Sequence, residues 1–161
     1  MRFCALIILC MNFWACNSRS KAFDLEAGTA TATIDGENIS YTSTWTQTGN
    51  ALQLNLQDTS FESMMTIRLL ESDDGIIFAE LTQFPALFSL SESHKGLATY
   101  YPPDSNPSAT TEGNAESFFE IEEFESGSAI GNFSFIATDQ NDQTYEVTSG
   151  LIHANELDIT P

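Results

Sequence analysis

Two histidines, a run of four glutamates and one aspartate-rich turn are the residues whose types and spacing could do chemistry in this 161-residue chain. His94 and His153 are the only histidines. Neither sits in an H-E-x-x-H pair, and a nucleophile-base-acid set would need one of them beside a serine that nothing in the sequence singles out. His153 and Glu156 offer two metal donors, yet on a strand those positions point to opposite faces. Asp139, Asn141 and Asp142 are spaced like the start of a calcium loop, but the glycine and the distant bidentate glutamate of that loop are missing. A hairpin tip explains them through turn geometry. Glu120, Glu122, Glu123 and Glu125 could supply the paired carboxylates of a glycosidase. Glu120 and Glu122 would share one strand face, no partner acid on another element is identifiable, and a solvated charged face explains them as well. Ser18 and Lys21 match S-x-x-K only formally, outside any pocket. No catalytic residue, metal ligand or cofactor is therefore assigned. Trp45, Tyr100 and Tyr101 are the candidate binding surface, with Tyr41 close by in sequence. Core packing is the ordinary use of such rings.

The elements that must position these residues are strands. Short runs of Val, Ile, Thr and aromatics are broken by turn residues at fairly even spacing, the pattern of an antiparallel sandwich or barrel. Residues 28–35 and 38–48 flank Asp35-Gly36, a strong hairpin signal. Residues 51–58 alternate with Leu52, Leu54 and Leu56 on one face and Gln53, Asn55 and Gln57 on the other, which predicts a half-buried strand. Residues 64–72 and 76–82 flank Asp73-Asp74-Gly75 as a second unit, with Met65, Ile67 and Leu69 inward. Residues 86–91 and 97–101 follow, linked around His94-Lys95-Gly96. The proline-containing stretch 102–115 reads as one long mobile loop. Residues 116–125 suit either a capped helix or a strand with Phe119 and Ile121 inward, and the aromatic content selects the strand. Strands over 130–138, with Phe133, Phe135 and Ala137 aligned, then 144–148 and 151–158 complete the chain. The predicted fold class is all-β, an antiparallel β-sandwich, with a partly open up-and-down β-barrel as the alternative.

The first residues belong to a different object. Arg2 followed by the apolar stretch 3–14 and a small residue at Ala15 is built like a cleavable secretory signal, shorter than a bilayer span. Phe13-Trp14-Ala15-Cys16 resembles the lipobox of bacterial lipoproteins, in which the cysteine is lipidated and becomes the first mature residue. The resemblance implies lipidation at Cys16. The expected organisation is a signal peptide over 1–15, a lipidated tether over 16–22 and one all-β domain over 23–161. Cys4 and Cys10 leave with the leader, so the mature domain has neither free thiol nor disulfide and depends on its own core. Its 146 residues suffice, since a chain of that size buries about 70% of its unfolded surface. The mature part keeps four basic residues against 23 acidic ones, a net charge of −19. That charge excludes nucleic acid as a partner, because phosphate neutralisation demands clustered Lys and Arg.

Four segments resemble small lipoproteins of unknown function found in Bacteroidota. They are Ala32-Thr33-Ile34-Asp35-Gly36, Ala98-Thr99-Tyr100-Tyr101, Ile130-Gly131-Asn132-Phe133-Ser134-Phe135 and Tyr145-Glu146-Val147-Thr148-Ser149-Gly150. The resemblance implies an envelope-anchored all-β domain with no assigned activity. Residues 17–21 lack the acidic run that marks surface export in that phylum, which implies the periplasmic face of the outer membrane. Three function classes follow: a non-enzymatic module binding a protein or glycan near residues 100–115, a carrier with a small apolar ligand inside a barrel, and a hydrolase of the envelope. The membrane is the expected partner through the lipid on Cys16.

Overall fold

The computed structural model describes residues 21–48, 51–60, 62–69, 84–92, 95–103, 107–114, 116–125 and 127–157. A single 3-10 turn, Lys21–Asp24, precedes eleven strands. These are β1 (Thr29–Ile34), β2 (Glu37–Thr48), β3 (Ala51–Asp58), β4 (Met64–Leu69), β5 (Ala86–Ser89), β6 (Ser91–Glu92), β7 (Gly96–Tyr101), β8 (Ala109–Thr110), β9 (Phe118–Glu125), β10 (Ser128–Thr138) and β11 (Thr144–Glu156). The unit around residues 73–75, the strand expected over 76–82, His94 and the whole leader with Cys16 lie outside the described residues.

The predicted all-β antiparallel class is what the chain adopts, in the barrel form rather than the two-layered sandwich. β1, β2, β3, β4, β7, β8, β10 and β11 hydrogen-bond in that order, and β11 returns to β1. Each of those pairings is antiparallel. A sandwich keeps edges, whereas here the first and last strands pair and abolish them. Local irregularities make closure possible. β11 is one strand where the sequence suggested two segments, because Ser149 at φ 52° and the register shift opposite Thr31 and Phe133 form a bulge instead of a break. Bulges bend a strand and sharpen its twist, which a closing sheet needs. Gly150 beside it leaves room for the Phe133 ring, which would lie 2.5 Å from an added Cβ.

Closure is thinnest between β7 and β10. At one end only the two residues of β8 bridge the gap. At the other, residues 86–92 cross it, with β6 on β7 and β5 on β9, which pairs in turn with β10. Buried polar side chains close the place where these routes meet. The Thr111 hydroxyl donates to the Leu90 carbonyl and accepts from Ala98 N at 3.1 Å, while Ser117 Oγ accepts from Ile136 N at 3.1 Å. β8 and Thr111 thus give structure to part of the stretch expected to be a mobile loop.

Inward positions follow the sequence alternation. Leu52, Leu54, Leu56, Met65, Ile67, Leu69, Phe119, Ile121, Phe133, Phe135 and Ala137 are all buried in one continuous cluster. An eight-stranded barrel has an interior that side chains can just fill, and these residues occupy it. The outward row is polar: Thr29, Thr31 and Thr33 on β1, Gln53, Asn55 and Gln57 on β3. That is the reverse of a membrane-spanning barrel, which turns apolar side chains to lipid. Among the described residues no helix is long and apolar enough to cross a membrane.

Candidate functional site

The two ends of the barrel are built from different turns. One end carries the β1–β2 turn, the β3–β4 turn, the segment after β7 and the β10–β11 turn. Asp35 and Gly36 have φ of 48° and 89°, as a tight hairpin of the predicted kind requires. At the β3–β4 turn, Asp58 Oδ1 accepts from Ser60 N at 3.0 Å and Oδ2 from Ser60 Oγ at 2.7 Å. The Ser60 amide holds the Asp58 carboxyl below its usual range. At the β10–β11 turn, Asp139 Oδ1 accepts from Asn141 N at 2.7 Å and Gln143 N at 2.9 Å. The apparent calcium spacing is therefore a side-chain-closed hairpin tip. Among the described residues no group of three His, Cys, Asp or Glu could hold a metal ion.

Within this end lies a line of three tyrosines, Tyr41, Tyr100 and Tyr145, from strands β2, β7 and β11. Tyr100 and Tyr145 meet edge to face at 5.1 Å between ring centroids. Burial pushes all three phenols up from their ordinary range, because the low-dielectric interior disfavours the phenolate. A side-chain hydrogen-bond interaction with Ser63 opposes that rise at Tyr41 and Tyr100, and the Ser63 hydroxyl also donates to Asp58 Oδ2 at 3.4 Å. The hydroxyls of Tyr41 and Tyr145 are buried without any hydrogen-bond partner. A buried phenol normally finds one. Tyr145 and Tyr100 line a pocket of about 440 Å³ at this mouth, together with Ile34, Asp35, Glu37, Ile39, Pro102, Pro103 and Gln143.

A second groove, about 520 Å³, lies on the outer wall among Lys21, Phe84, Glu120, Glu122, Asn132 and neighbouring apolar side chains. A register shift in β9 opposite Ile130 and Gly131 inserts an extra residue at Glu122. The bulge reverses the alternation, so that Glu122 and Glu123 both avoid the core while Phe124 turns back to pack on it. Gly131 is required there, since an added Cβ would sit 2.2 Å from the Glu120 carbonyl oxygen. Asn132 Nδ2 donates to Glu120 Oε2 at 2.8 Å and to Glu122 Oε1 at 2.9 Å. The two glutamates do share a face, as expected, and one neutral amide holds both. Glu120, Glu122 and Asn132 in this groove are paired with one another, whereas the buried Tyr145 hydroxyl at the mouth has no partner, and that contrast, rather than volume, selects the mouth as the candidate site.

The proposed aromatic surface divides. Tyr100 is buried and Tyr101 is exposed, as neighbours on one strand must be. Trp45 is at the opposite end: its Nε1 donates to Gly127 O at 3.1 Å and its ring lies 4.9 Å from that of Phe124. His153 faces Leu25, with Nδ1 3.0 Å from the carbonyl oxygen. Tyr145 was not singled out from the sequence. The signal was present, because alternation after the Gln140-Asn141-Asp142 turn puts Tyr145 and Val147 inward together. Comparison with protein-family models, curated proteins and solved structures finds no match to this chain.

Proposed function

We propose that this chain is a lipid-anchored cell-envelope protein whose barrel is a non-enzymatic binding module, with its ligand site at the tyrosine-lined mouth. The leader and Cys16 support the anchoring, through an acyl-modified thiol a few residues before the first turn of the domain. Stable attachment needs two acyl chains or their equivalent, since one chain binds a bilayer only marginally. The absence of an acidic run after Cys16 supports the periplasmic face of the outer membrane. The observation that carries the binding role is the buried, unpartnered hydroxyl of Tyr145, a residue that lines the open pocket. Leaving such a group unpaired costs about 1–3 kcal/mol, and sites evolved for binding tolerate that expense where a ligand restores the bond.

Two measurements test this reading. Fractionation of cells should place the wild-type chain in the envelope with a mass increase on its amino-terminal peptide, and Cys16→Ser should release it. Recovery of unmodified wild-type protein from the cytoplasm would sink the anchoring. For the site, Tyr145→Phe should leave the thermal midpoint of the free protein unchanged or higher. A destabilisation beyond about 1 kcal/mol would mean that the hydroxyl is already bonded within the fold, and the binding reading would lose its support.

A further inference from the structure

Building on the mouth as the binding site, we propose that its ligand is a neutral saccharide. The inference comes from matching donors to acceptors. The phenol of Tyr145, which lines the pocket, carries a proton with nothing to receive it, and burial further disfavours its phenolate. The same pocket presents two carboxylates, Asp35 and Glu37, and the amide of Gln143. Asp35 is held in place by the Glu146 amide, which donates to its Oδ1 at 3.1 Å.

A ligand for this mixture must give protons to carboxylates and take one from a phenol. A cationic amine would do the first and leave the phenol proton unmet. A carboxylate or phosphate would do the second and meet repulsion from Asp35, Glu37 and a chain of net charge −18. None of the described lining residues is Lys, Arg or His, so an anion finds no counter-charge. A hydroxyl group donates and accepts at once. A ring bearing several hydroxyls also offers C–H faces, which Ile34, Ile39, Pro102 and Pro103 can cover. The volume of about 440 Å³ lies within the range of small-ligand sites, about 300–1,000 Å³.

The test uses the detergent-solubilised full chain and reads tyrosine ring resonances during titration. The neutral probes are maltotriose, cellotriose and tri-N-acetylchitotriose; tetralysine and trigalacturonate serve as cationic and anionic comparators. At least one neutral sugar should give saturable shifts, and Tyr145→Phe should weaken that binding at least about tenfold with no loss of thermal midpoint. Saturable shifts from tetralysine or trigalacturonate without any from the neutral sugars would overturn the saccharide and leave the mouth as a binding site. Equal affinity in wild type and Tyr145→Phe would place the sugar elsewhere and overturn the assignment. No saturable shift from any neutral sugar would also overturn it, and the mouth reading would fall too only if Tyr145→Phe lowered stability.

Discussion

The two ends of this barrel use the same kind of residue for opposite purposes. At one end Trp45 sits with its indole N–H on the Gly127 carbonyl, its ring against Phe124 and its own carbonyl accepting from Leu157 N at 2.8 Å. Every polar atom of that residue for which a bond is described has a partner on a neighbouring strand or turn. At the other end Tyr41 and Tyr145 bury as much ring and leave their hydroxyls unpaired. Burial of an aromatic residue therefore does not distinguish a plug from a site. What distinguishes them is whether the polar tip of the ring is satisfied by the fold itself.

The largest effect is expected at the plugged end. Trp45→Ala removes a buried ring and one of the two hydrogen bonds that the Gly127 carbonyl accepts, and should destabilise the protein by about 3–5 kcal/mol in urea unfolding. A loss below about 1 kcal/mol would show that this end is not held by its aromatic pair. Next in size is the seam. Thr111→Val keeps the shape but leaves Leu90 O and Ala98 N without their hydroxyl partner, and should lower stability by about 2–4 kcal/mol. An effect near zero would mean that barrel closure does not depend on this hydroxyl.

The open end predicts smaller effects, one of opposite sign. Tyr41→Phe removes a buried hydroxyl with no partner, so the free protein should be unchanged or more stable by up to about 1 kcal/mol. Clear destabilisation in calorimetry would erase the distinction between the two ends. The smallest effect concerns pH. The folded state holds the Asp58 carboxyl below its ordinary value, chiefly through the Ser60 amide. Such a group contributes stability above its unfolded pKa and loses it as pH falls through the folded value. Wild type should thus exceed Asp58→Asn in thermal midpoint at pH 6, with the gap narrowing below about pH 4. A gap independent of pH would assign the turn to geometry alone.

Much of the fold was legible because two-residue alternation is a property of the chain. The alternation groups Leu52, Leu54 and Leu56 on one face, turns Met65, Ile67 and Leu69 inward and aligns Phe133, Phe135 and Ala137, and all nine line the core. The Asp35-Gly36 hairpin was legible too, since only a few residue pairs accept positive φ at both positions. Less legible were the places where alternation changes phase. The doubled Glu122-Glu123 marks one bulge and Ser149-Gly150 the other, but each also reads as a simple break. β8, two residues long, lies below the length at which any period is visible.

The candidate site was legible only in part. Tyr100 and the prolines after it were singled out, whereas Trp45 was grouped with them although it packs at the far end. Proximity between β2, β7 and β11 depends on which strands become neighbours, and a pattern repeated along each strand carries no such label. Amino-acid order decided which side chains face inward, where the tight turns fall and how acidic the surface is, because these depend on neighbours within a few residues. Pairing across the closed sheet decided that three distant tyrosines meet, that the outer strands leave no long edge, and that two phenol groups end without partners. Those outcomes rest on contacts between residues dozens of positions apart, which only the folded barrel brings within reach.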